Sequence, residues 1–302
     1  MTKRARKGRA GHITAHYLLD RFSIADLRHW QTLGRNAKLY EAQLYNVLEA
    51  QRQEHYASLI ESLRTIRANP FSFRNWVRIS DYKYTLTPLS SRGSVQRIGG
   101  RFNFGKGISE YRFEPFNAYY LAEDSPTAWR EKFLHEPTGS GVGLSEVELK
   151  LADERSLVHL SLRGVIEDLL DITNMTALKP FLAVIRDFKI PAAIRELTKE
   201  LGLKPIDTVT TLSMLSANLL DQNWKARPMH HDIPSKSQIF GKIALDAGFE
   251  GILYPSVRGS GRCLALFPRN FKNSTSFVEL QSEAPNDNVV TRMDATNFNH
   301  LI

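Results

Sequence analysis

The sequence predicts an α+β protein, on three observations: a helical stretch at the N-terminus, short strands after Pro70, and an irregular interleaving of the two beyond it. That irregular order argues against a doubly wound parallel sheet, whose strands and helices alternate. Residues 1–12 read as a disordered basic arm. Residues 13–70 read as a helical extension, with Ser23 a candidate cap for a helix entering at Ile24. Tyr40, Leu44, Val47, Leu48, Tyr56, Leu59, Ile60, Leu63 and Ile66 then recur mostly at three- and four-residue steps, with Glu, Gln and Arg between them. Two or three amphipathic helices follow from that spacing. Their apolar stripe is expected to pack on the main body or on another copy of the chain.

Asn69-Pro70 marks a boundary, and the main body is expected over 71–281. Trp76-Val77-Arg78-Ile79 reads as a short strand, and a Gly-, Ser- and Arg-rich loop runs from about Ser90 to Gly107. Asn117 to Ala122 is an uncharged, aromatic strand candidate. Ser125-Pro126 reads as N-cap and first position of a helix through Phe133. Leu144 to Leu151 and Leu157 to Leu162 alternate as strands. Residues 176–226 read mostly as helices, broken at Pro191 and Gly202. Gln238 to Ala247 is a further helix stopped by Gly248. Gly251 to Tyr254 and Cys263 to Phe267 are strands, and 282–302 reads as a polar tail.

Of the 302 residues, 42% are hydrophobic and 24% charged, so a sizeable core is available. No apolar run reaches the ~18 residues a membrane span needs. The basic N-terminus lacks the apolar core of a secretory signal, so a cytoplasmic protein with no membrane contact is expected. Cys263 is the single cysteine and lies in the apolar run to Phe267; it reads as a buried structural thiol in a reducing compartment. The net charge is +8, of which Lys3, Arg4, Arg6, Lys7 and Arg9 supply five. The body then carries only about +3, which suits a phosphorylated small molecule or an acidic partner as well as nucleic acid. A nucleic-acid-binding module that reads through the basic arm stays open on this count.

The stretch Gly99-Gly100-Arg101-Phe102-Asn103-Phe104-Gly105-Lys106-Gly107 holds four glycines and two cations. Glycines let backbone N–H groups approach an anion, and arginine grips phosphate with two parallel donors; a plain turn between strands is the alternative. A P-loop is excluded, because Gly107 stands where Ser or Thr would bind magnesium and no convincing helix follows. Alone, Glu131 would be a solvent-facing carboxylate one helical turn from His135, and Tyr120 a core aromatic. Ser256 lacks the glycines of a nucleophile elbow. His230-His231-Asp232 has no partner pattern for metal and reads as surface loop, so no metal site is expected.

Taken in order, these pieces resemble the RES domain family. Trp76-Val77-Arg78-Ile79-Ser80 resembles its opening W-R-I-S strand, and Gly99-Gly100-Arg101-Phe102-Asn103 its G-G-R-W-N loop. Tyr120-Leu121-Ala122 with Ala128 and Glu131 is similar to its Y-x-A…A-x-x-E segment. Leu170 to Thr173 resembles a later L-D-L-T element. Gly248 to Arg258 resembles its G-x-x-G-I-x-Y-P-S-x-R segment. The resemblance covers roughly residues 76 to 270. Phe102 replaces the usual Trp, residues 176–235 exceed a minimal domain, and 1–70 lie outside.

The resemblance implies an ADP-ribosyltransferase-like split β-structure with flanking helices and a nucleotide cleft. It implies a toxin of a bacterial toxin–antitoxin pair that cleaves the nicotinamide–ribose bond of NAD, used as substrate with no separate cofactor. Some relatives instead transfer ADP-ribose to a protein or to phosphate. The implied partner is a helix-turn-helix antitoxin that blocks the cleft, and nucleic acid is reached only through it. The extension's role does not follow from the resemblance; its Tyr- and Leu-bearing stripe favours a protein contact, between copies or with an antitoxin, over nucleic acid. The residues giving the family its name map to Arg101, Glu131 and Ser256. Implied catalytic residues are Arg101, Tyr120, Glu131 and Ser256; implied NAD-binding residues are Arg78, Gly100, Arg101, Asn103 and Tyr120. Chemistry is consistent with this: nicotinamide leaves neutral, and a carboxylate facing the developing ribosyl cation is the useful help.

Overall fold

The computed structural model describes residues 24–66, 70–109, 112–133, 156–203 and 206–302. The basic arm, Ser23, His135 and the expected strand from Leu144 to Leu151 lie outside the described residues. Two helices, α1 (Ile24–Glu54) and α2 (Tyr56–Arg64), come first. There follow β1 (Phe71–Asp81), β2 (Tyr119–Ala122), α3 (Ser125–Phe133), β3 (Leu157–Ile166) and β4 (Leu169–Asp171). Five helices are next: α4 (Lys179–Ile185), α5 (Ala192–Glu200), α6 (Leu212–Leu219), α7 (Ala226–His231) and α8 (Lys236–Asp246). The chain closes with β5 (Gly251–Pro255), β6 (Arg262–Leu266), β7 (Phe277–Leu280) and β8 (Arg292–Asp294). No helix among the described residues is long and apolar enough to cross a membrane.

The eight strands form one mixed sheet in the order β4-β5-β6-β2-β1-β3-β7-β8. β4 and β5 run parallel; the other neighbours are antiparallel. Its centre is its weakest joint. β1 pairs with β3 from Phe71–Ile166 to Asp81–Leu157, but it meets β2 at a single pair, Val77 with Ala122. The α+β class is therefore the one the sequence led us to expect.

Period-two alternation puts successive side chains of the central strands on opposite faces. Cys263 and Ala265 of β6, with Ala122 of β2, join a core completed by Leu59, Leu63, Phe181, Leu215 and Phe240 from the helices. Leu264 and Leu266, with Tyr119 and Leu121, face a second core closed by Phe271, Phe298 and Leu301. The extension belongs to the first core. Leu59 and Leu63 are fully buried, and Tyr40 and Leu44 of α1 pack on Ile190 and Ile194 beside α5.

Several boundaries differ from expectation for local reasons. β1 begins at Phe71, five residues early, because a bulge between Phe73 and Trp76 breaks the alternation; Asn75 absorbs it at φ 59. The cap of α3 is Asp124, whose carboxylate accepts the Thr127 N–H at 2.7 Å, so Ser125 is already helical. α8 starts at Lys236 because Ser235 and Gln238 form a capping box. His230 and His231 end a short helix rather than lying in a loop, with Asp232 in the left-handed region at φ 54. The segment from 282, expected as a polar tail, supplies β8 and buries Val289, Met293, Phe298 and Leu301. Apolar residues that sparse, around a three-residue strand, leave no period to read.

Candidate functional site

Where β1 and β2 diverge beyond their single pair, the sheet opens into a crevice of ≈ 570 Å³. β1 lines it from Val77 to Asp81, β2 from Tyr120 to Ala122, and α3 with Glu131 and Lys132. Gly99, Gly100 and Arg101 form part of the wall, and Trp224, Lys225 and Arg258 also face in. Arg101 and Glu131, far apart in sequence and unlike in local structure, thus share one space.

Arg101 is 5% exposed. Its Nη1 donates to the carbonyl oxygens of Asp221 at 2.8 Å and Leu219 at 3.3 Å, just past the end of α6. Its guanidinium stands 5.9 Å from the centre of the Trp224 ring. Two carbonyls and an aromatic face therefore hold the cation in one orientation before any ligand arrives. Arg78 stacks 4.2 Å over the Tyr119 ring and donates to the Tyr120 carbonyl at 3.3 Å, across the open joint of the sheet.

The loop that presents Arg101 is braced from beneath. Asn103 is fully buried and does not line the crevice. Its Oδ1 accepts from Gly100 N–H at 2.9 Å and from the Tyr120 hydroxyl at 2.8 Å, while its Nδ2 donates to the Phe116 and Ser94 carbonyls at 2.8 and 3.0 Å. Asn103, expected among the NAD-binding residues, is thus engaged in holding the loop. Tyr120 accepts the Phe102 N–H at 2.9 Å, and its ring lies so close to Gly100 that a side chain there would collide with it. Burial raises the Tyr120 pKa above the usual phenol value, so the hydroxyl stays protonated and keeps donating.

Gln238 was not among the residues singled out from sequence. Its Nε2 donates to three loop carbonyls, Ile98 at 2.8 Å, Asn103 at 2.9 Å and Gly100 at 3.0 Å, while its Oε1 caps Ser235 N–H at 2.9 Å. The Ser-x-x-Gln spacing signals the cap, but nothing in it signals the loop. Trp224 was missed as well, and no local pattern marks it.

On the opposite wall, Glu131 is half-buried on α3. Ser256, at the end of β5, donates to Glu131 Oε1 at 2.6 Å and accepts the Arg258 N–H at 3.1 Å. Ser256 is not among the residues lining the crevice, and its hydroxyl is engaged by the carboxylate. Removing that bond by Ser256→Ala is expected to lower kcat about tenfold while leaving KM within about twofold. A steady-state comparison of the two constants checks this; a rise in KM alone would show that Ser256 serves binding instead.

Among the described residues the charge of the crevice is one-sided. Arg78, Lys83, Arg97, Arg101, Lys132, Lys225 and Arg258 line it, against the carboxylates of Asp81 and Glu131. Lys132 and Asp81 pair at 3.1 Å, and Arg78, Lys83, Arg97 and Arg101 still outnumber Glu131 among the described residues. Such a wall favours a ligand bearing two or more negative charges. Burial holds the Cys263 thiol far above its usual pKa, so it is protonated and a poor nucleophile despite facing the site. Among the described residues no cluster of His, Cys, Asp and Glu could hold a metal ion.

Comparison with known proteins places the family. Residues 75–285 match the family model of the RES domain. The chain belongs to the RES family. All five motifs that carried the resemblance fall inside the match, from Trp76 on β1 to Arg258 after β5, while α1 and α2 precede the RES region. Among solved structures, the RES chain is similar to a chain of the M. tuberculosis MbcT–MbcA toxin–antitoxin complex. The two are 16% identical, with 81% of this chain and 96% of that one covered and a TM-score of 0.41. No curated protein matches.

Proposed function

We propose that this RES protein is a toxin of a bacterial toxin–antitoxin pair that cleaves the nicotinamide–ribose bond of NAD in the cytoplasm. One observation carries most of the weight: Arg101 and Glu131 stand in the same cation-rich crevice. NAD carries a pyrophosphate near its middle and a cationic nicotinamide at one end. Arg101, with Arg78, would hold the pyrophosphate and set its register. Glu131 would then face the ribose as nicotinamide leaves neutral and positive charge develops on the sugar. The Tyr120 ring would offer a flat wall to the nicotinamide riboside, and Ser256 would fix the carboxylate rotamer. The chemistry asks for no acid at the leaving group. A helix-turn-helix antitoxin that occludes the crevice is the proposed partner.

Purified protein incubated with NAD is expected to release nicotinamide, read by chromatography or proton NMR. Free ADP-ribose as co-product identifies water as acceptor, whereas label retained on a protein in lysate identifies transfer. Intact NAD after prolonged incubation, in buffer, with phosphate and with lysate, would remove the proposal.

A further inference from the structure

The loop carries a second guanidinium, held in a backbone conformation that its residue type disfavours. Arg97 sits at φ 55, in the left-handed region, where residues with a long side chain are uncommon. Its neighbours close tightly around it. Gly107 N–H donates to the Arg97 carbonyl. A side chain at Gly105 would strike the Arg97 carbonyl oxygen, and one at Gly107 its carbonyl carbon. Two of the loop's four glycines therefore serve the backbone of Arg97 rather than an anion of their own.

The Arg97 side chain is exposed and lines the crevice, and it makes no hydrogen bond or ion pair with any described residue. A turn that needed only positive φ would take Gly or Asn at lower cost. An arginine there, with its five donors uncommitted, is placed for a ligand. Arg101 differs, since it is buried and gives Nη1 to protein carbonyls.

We infer that Arg97 is a phosphate-binding residue of the crevice, gripping a phosphate of the dinucleotide at the mouth. The inference rests on the proposed dinucleotide substrate, and it assigns Arg97 to binding rather than to bond cleavage.

The test uses Arg97→Asn and Arg97→Gly, which keep the left-handed backbone and remove the cation, and Arg97→Lys, which keeps charge without the fork. Calorimetric titration of the full chain with ADP-ribose is expected to show affinity weakened about tenfold or more in the Asn and Gly variants. Arg97→Lys should fall between, and the melting temperature of Arg97→Gly should equal or exceed that of the parent. A loss seen only with 2′-phospho-ADP-ribose would support the contact and assign it to the 2′-phosphate instead of the pyrophosphate. Equal affinities of parent and Arg97→Asn for both ligands, or a parent that binds neither, overturns the inference. Turnover is read separately: KM for NAD should rise in Arg97→Asn with kcat unchanged. Tight ADP-ribose binding by a parent that never releases nicotinamide would sink the proposed reaction and leave the role of Arg97 standing.

Discussion

Replacing Glu131 by Gln is expected to lower the rate of nicotinamide release by about a thousand-fold, with KM little changed. The substitution keeps shape and keeps an oxygen to accept from Ser256, whose hydroxyl lies 2.6 Å from Oε1 in the parent. What it removes is the negative charge, which matters most when the ribose carries positive charge and least in the ground state. Single-turnover kinetics with saturating NAD isolates that step. A loss of less than about tenfold would take Glu131 out of the chemistry and leave it a structural partner of Ser256.

Gln238→Ala is expected to be the most destabilising single change near the site. It would leave the carbonyls of Ile98, Gly100 and Asn103, and the N–H of Ser235, without the partner they have now. Each buried orphan costs about 1–3 kcal/mol, and partial relaxation brings the total to about 4 kcal/mol. For a chain of this size that is a fall in melting temperature of roughly 8–16 °C. The loop also bears Arg101, so ADP-ribose affinity should fall in parallel at temperatures where the variant is folded. A melting temperature within about two degrees of the parent would show that the loop is held by other means.

Much of this could be read from residue order alone. Leu59 and Leu63 advertise a buried helical face by their spacing, and Leu264 and Leu266 alternate with Cys263 and Ala265 because β6 buries both faces. The Gly-Gly-Arg-Phe-Asn loop and the Ser-Pro helix were legible because each has a local signature. What was not legible depends on contacts between distant segments. Gln238 reaches carbonyls 135 to 140 residues away, and no window along the chain contains both ends. Asn103 shows the converse limit. The resemblance implies Asn103 as an NAD contact, and only the packed loop reveals that its amide is turned inward. β8 escaped notice because three residues are too few to establish a period.

A sheet fastened across its middle by one rung behaves as two stiff plates on a hinge. Each plate keeps its own ladder of bonds, while the packed layers on the two faces span the seam and set how stiff the hinge is. The crevice sits on the hinge line, so its width follows the angle between the plates. A molecule held at once by Arg78 on one plate and by groups of the other would act as a strap. Amide exchange in β1 and β2 should then slow on binding, although no new backbone bond has formed.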